Sequence, residues 1–67
     1  MSRKEVDRLL GDPNHHKGEC GYLKGVSRGC VLEYVYSHPL GPLRPEYYVV
    51  EFSSGDRVIS AAHLVDK

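Results

Sequence analysis

Two cysteines and four histidines are the residues here whose chemistry could go beyond packing. Zinc favours thiolate and imidazole ligands, so His15, His16, Cys20 and Cys30 form the most metal-like group. Structural zinc sites, however, take their ligands from tight pairs, and here nine residues separate the cysteines while the histidines are adjacent. That spacing predicts a solvated loop with two half-buried thiols and no metal. A Cys–His nucleophilic pair, with His38 or His63 serving Cys20 or Cys30, would need an orienting group, an oxyanion hole and a cleft. A single small domain rarely encloses all three. The glycines at 18, 21, 25 and 29 fit neither phosphate-binding motif. The expectation is therefore no catalytic residue and no cofactor.

Aromatic residues say more. Tyr22, Tyr34, Tyr36, Tyr47 and Tyr48 lie in or beside strand-like runs, and Phe52 is the only other aromatic. Tyrosine suits protein interfaces, cages for methylated ammonium groups, and stacking on single-stranded bases. It also fills small cores with its hydroxyl at the rim.

These side chains need elements to hold them. Ser2-Arg-Lys-Glu5 is a capping box, Met1 and Val6 occupy the hydrophobic-staple positions, and Gly11 is the stop. The spacing predicts a helix within residues 1–11 that docks through Val6, Leu9 and Leu10. Residues 12–18 read as a loop. A strand signal runs from Glu19 to Val26, Ser27-Arg-Gly29 reads as a turn, and Cys30–Tyr36 is a strong strand. His38–Glu46 holds three prolines and a glycine and reads as an extended loop. Ser60 is placed to cap one helical turn through His63, before a short last strand at Leu64-Val65.

The stretch Glu46–Ser60 reads as a β-hairpin around Ser53-Ser54-Gly55. With Gly55 left-handed, Glu51 would face Arg57, Val50 would face Val58, and Val49 would face Ile59. One face then carries Tyr48, Val50, Phe52 and Val58; the other carries Tyr47, Val49 and Ile59. Neither face is polar away from the turn, so the second needs a cover: the N-terminal helix, a second copy or another partner. Tyr22, Tyr34, Tyr36, Tyr47, Val49, Arg57 and Ile59 are the candidate binding residues.

Sixty-seven residues make a single domain over 1–67. A chain this short buries only about 60 % of its unfolded surface, and such folds often lean on a disulfide, a metal or a partner. Nine basic and nine acidic residues cancel, which argues against non-specific DNA binding. No apolar run approaches the ~20 residues of a membrane span, and the first residues do not form a signal peptide. A cytoplasmic protein with reduced thiols is expected.

Gly25-Val-Ser-Arg-Gly-Cys-Val-Leu-Glu33, Tyr48-Val-Val-Glu-Phe-Ser-Ser-Gly55 and Ala61-Ala-His-Leu64 resemble the strands and turns of small SH3-like barrels, including Tudor-like modules. The resemblance covers residues 18–67. It implies a mainly β fold, a five-stranded barrel over 19–67 with a one-turn helix before the last strand, and leaves the short N-terminal helix outside it. The chain is also similar in length and in its proline-containing loop to the plasmid-borne type II dihydrofolate reductases. Aligned on Leu64, Asp56-Arg57-Val58-Ile59 stands where that family's pore-lining motif lies, without its Gln and Tyr. That likeness therefore implies assembly through sheets and transfers no catalytic residue. The functional expectation is a non-enzymatic module that self-associates as a homo-oligomer, binds a protein or peptide through a tyrosine-rich face, or does both. A nucleic-acid-binding barrel using Lys17, Lys24 and Arg28 ranks second, and an oligomeric enzyme with its site on a symmetry axis third.

Overall fold

The computed structural model describes residues 1–39 and 45–65. Helix α1 (Arg3–Leu10) starts where the capping box places it: the Ser2 hydroxyl accepts the Glu5 N–H. It ends at Gly11, whose positive φ of 74° suits a residue without Cβ and whose N–H donates to the Asp7 carbonyl. Four antiparallel strands follow, β1 (His16–Gly18), β2 (Leu32–Pro39), β3 (Pro45–Phe52) and β4 (Val58–Val65), in the order β1-β2-β3-β4.

The fold of the described residues is thus mainly β with one short helix. Among the described residues the sheet is open and four-stranded rather than a closed five-stranded barrel. Three expected elements change. His16–Gly18, expected as loop, forms β1 by pairing with Glu33–Val35. Residues 19–31, expected to begin with a strand, form an irregular segment punctuated by Gly21 and Gly29 at positive φ. The helical turn expected over Ser60–His63 is continuous β4, because Ala61, Ala62 and His63 pair with Val50, Val49 and Tyr48. Cross-strand pairing outweighs alanine's high helix propensity, which tertiary context readily overrides. The turn at Ser27–Gly29 forms as expected, closed by a Cys30 N–H donating to the Ser27 carbonyl. Of the expected proline-rich loop, His38-Pro39 and Pro45-Glu46 pair within β2 and β3, and residues 40–44 lie outside the described residues.

The β3–β4 hairpin keeps its expected loop type but moves it one residue along the chain. Ser53 donates its N–H to Arg57 and accepts one from Asp56, and Asp56 rather than Gly55 takes the left-handed conformation at φ 58°. Phe52 then faces Val58, and a β-bulge at Ile59 brings Glu51 opposite Ser60 instead of Arg57. Arg57 bridges to Ser2, and the Met1 carbonyl accepts the Val58 N–H.

Each face of the sheet has its own cover. Helix α1 lies over Leu32, Tyr34, Tyr36, Val50, Phe52 and Val58, with Val6 buried among them. Leu9 and Leu10, expected to dock beside Val6, are 63 % and 57 % exposed. Tyr48, expected in this core, lies beyond the helix at the far end of the face and is exposed. The opposite face carries Glu33, Val35, Val49 and Glu51, all fully buried, and residues 19–31 fold over it.

Candidate interaction surface and the carboxylate-held loop

Glu33 and Glu51 sit directly opposite each other on β2 and β3. Like charges in that position repel, and burial removes the water that would screen them. The 19–31 segment answers both. Glu33 accepts the N–H groups of Gly21 (3.1 Å) and Tyr22 (3.3 Å). Glu51 accepts the Lys24 ammonium (2.6 Å), the Ser27 hydroxyl (2.6 Å) and the Ser27 N–H (3.1 Å). Burial alone would push the Glu51 carboxyl up; the bonds from Lys24 and Ser27 outweigh it and hold its pKa down at about 2.

The same segment is closed by a Cys20–Cys30 disulfide. This corrects the expectation of two reduced thiols: the turn at Ser27–Gly29 folds the segment back and brings the sulfurs together. Closing a loop with a sequence separation of 10 contributes about 2–3 kcal/mol by chain entropy.

The seven residues expected to bind do not converge. Tyr34 is buried and donates its hydroxyl to Asp7, and Tyr36 donates to the Gly11 carbonyl, so both tie the sheet to α1. Burial and the Asp7 carboxylate push the Tyr34 hydroxyl up to about 12. Tyr22 stacks on His16 at 4.2 Å, and His15 lies between Tyr22 and Tyr47. Val49 is fully buried under residues 19–31. Arg57 lines an open depression of about 270 Å³ with Met1, Ser2 and Glu5, and Ile59 is the exposed bulge residue. The second sheet face, expected to be covered by the N-terminal helix, a second copy or another partner, is covered at Val49 by residues 19–31, with Ile59 left exposed.

Two features escaped the sequence. Glu46 accepts the Tyr48 hydroxyl (2.9 Å) and pairs with His63 Nε2 (2.9 Å), while Tyr48 and His63 stack at 4.7 Å. The His63 contact, helped by Tyr48, holds the Glu46 carboxyl below its ordinary range. Helical reading of residues 60–63 hid this pair, since only a strand sets His63 opposite Tyr48.

The other feature is the edge. β4 pairs with β3 on one side, and nothing among the described residues pairs along its other side beyond Val58. Phe52 turns its carbonyl to Val31 and Val58 turns its N–H to Met1. By antiparallel alternation, Ala61, His63 and Val65 then direct their N–H and C=O groups outward. The strand Val58-Ile-Ser-Ala-Ala-His-Leu-Val65 carries no Lys, Arg, Asp, Glu or Pro, the residues that usually guard an edge. The opposite edge is short: β1 has three residues, and the Asn14 amide pairs with the Ser37 backbone beyond it.

No protein-family model, curated protein or solved structure matches this chain. Among the described residues, no helix is long and apolar enough to cross a membrane.

Proposed function

We propose that this protein is a non-enzymatic interaction module that self-associates by adding the β4 strand of a second copy to its own. The observation that carries this is the long edge of β4, without Lys, Arg, Asp, Glu or Pro and paired on one side only among the described residues. A strand is the occupant that satisfies a row of outward N–H and C=O groups. A second copy suits this edge because antiparallel pairing about a two-fold axis satisfies both edges with the same residues. Centred on His63, it sets Ala61 of one copy opposite Val65 of the other. It also joins the apolar exposed ends of the two sheets at Tyr48, Ala61 and Val65. The balanced charge of nine acids against nine bases opposes no such approach.

The SH3-like resemblance belongs to the same proposal and is supported by the Gly-Val and Tyr-Val-Val-Glu-Phe segments and the tight β3–β4 turn. The nucleic-acid reading has less support: Lys24 is held by buried Glu51, and Lys17 lies 5.5 Å from the Tyr34 ring and near Asp12.

Sedimentation across a dilution series tests the proposal. A dimer at high micromolar concentration that Ala61→Lys converts to a folded monomer supports it. A wild-type monomer throughout, whether or not it takes up foreign peptides, overturns it.

A further inference from the structure

The Cys20 and Cys30 sulfurs and a Glu51 carboxylate oxygen lie within 4.8 Å of one another. Among the described residues, this is the group of thiol, imidazole and carboxylate atoms compact enough to hold an ion. We infer that the reduced chain binds one zinc-class divalent ion through Cys20, Cys30 and Glu51. The same loop is then closed by a disulfide under oxidising conditions and by a metal under reducing ones.

Geometry supports the exchange. The two Cα atoms are 6.3 Å apart. A tetrahedral ion with Zn–S bonds of about 2.3 Å holds its sulfurs about 3.8 Å apart, which side-chain rotation can supply without moving the backbone. Glu51 is already immobilised beside the sulfurs, so its carboxylate needs little ordering. At the ligands themselves charge closes: two thiolates, the Glu51 carboxylate, a divalent ion and the Lys24 ammonium sum to zero, while the neighbouring Glu33 carboxylate is met by the Gly21 and Tyr22 N–H groups. Lys24, at 2.6 Å from Glu51, thus complements the loaded site. The fourth position falls to water. His15 and His16 stay outside the site, since His16 Nε2 is engaged by the Glu19 carbonyl and both rings pack on Tyr22.

The steps balance. A phosphine gives two electrons and leaves as its oxide, one water supplying the oxide's oxygen and the two protons, so that the Sγ–Sγ bond is cleaved to two thiols. The ion then displaces both thiol protons to solvent, and the Ser27 hydroxyl yields its place on one Glu51 oxygen.

The test uses the full chain, reduced anaerobically with a phosphine and titrated with Co²⁺. One ion per chain is expected, with thiolate-to-cobalt charge-transfer absorption that Zn²⁺ erases. Cys20→Ser should abolish that signal. Glu51→Gln should weaken binding by at least about tenfold, while Glu46→Gln should leave it unchanged. Because Glu51→Gln disturbs a buried site, a second readout uses unaltered protein: Zn²⁺ should raise the Tm of the reduced chain and not that of the oxidised one. A reduced chain without the charge-transfer band overturns the inference. So does Zn²⁺ stabilisation that is equal in both redox states.

Discussion

Glu51 shows how a single side chain can organise a layer. Its folded pKa of about 2 lies below the ordinary glutamate value of 4.5. A depressed carboxylate contributes stability that is present above the unfolded value and lost as pH falls through the folded one. Acid unfolding followed by circular dichroism should therefore show stability falling between about pH 4.5 and 2, and Glu51→Gln should flatten that dependence. Tyr34 works in the opposite direction: its hydroxyl is raised from 10 to about 12, so stability is full below pH 10 and lost as pH rises toward 12. Lys24→Met strands a buried carboxylate and should cost about 3 kcal/mol in urea unfolding. Adding Glu51→Leu should recover most of that loss; no recovery would mean that Lys24 acts through packing rather than charge. The sequence displays Glu51 as a strand residue but hides its partners. Lys24 and Ser27 are 27 and 24 residues away, and Arg57 offered a nearer false one.

At the scale of elements, local signals were readable and distant competition was not. The capping box and Gly11 delimit α1, and β-branched and aromatic runs mark β2 and β3. The hairpin loop type was legible, yet its register turned on which of two adjacent residues went left-handed. Gly55 was the intrinsic favourite; Asp56 takes the position, with its carbonyl accepting the Arg3 N–H and its carboxylate 3.5 Å from the Arg3 guanidinium. That one-residue shift moved Glu51 away from Arg57. Asp56→Val, a β-branched residue in the same conformation, should cost about 1–2 kcal/mol in thermal or urea unfolding. Residues 19–26 read as a strand because Tyr22, Leu23 and Val26 suggest one, but captured N–H groups and the disulfide hold them off any ladder. Gly21 is the tightest point: φ is 91°, and a Cβ there would meet Val26 Cγ2 at 2.9 Å. Gly21→Ala should destabilise by about 1–3 kcal/mol and release Tyr22 from His16, read as loss of ring-current shifts. Unchanged shifts would contradict that packing.

For the whole molecule, two covers on one small sheet change where a partner would sit. A two-faced sheet predicts a cover over Tyr47, Val49 and Ile59 by the helix, a second copy or another partner; the 19–31 segment lies over Val49, Ile59 stays exposed, and among the described residues the β4 edge is unpaired beyond Val58. Sequence patterning reports which residues are apolar, whereas an open edge is a property of strand order, which is why it was not legible. Amide hydrogen exchange along β4 tests strand addition most directly. Ser60, Ala62 and Leu64 bond inward to β3 and should be protected at every concentration, while Ala61, His63 and Val65 should gain protection as concentration rises and lose it on dilution. Outward amides that exchange freely even at the highest concentration would contradict the account.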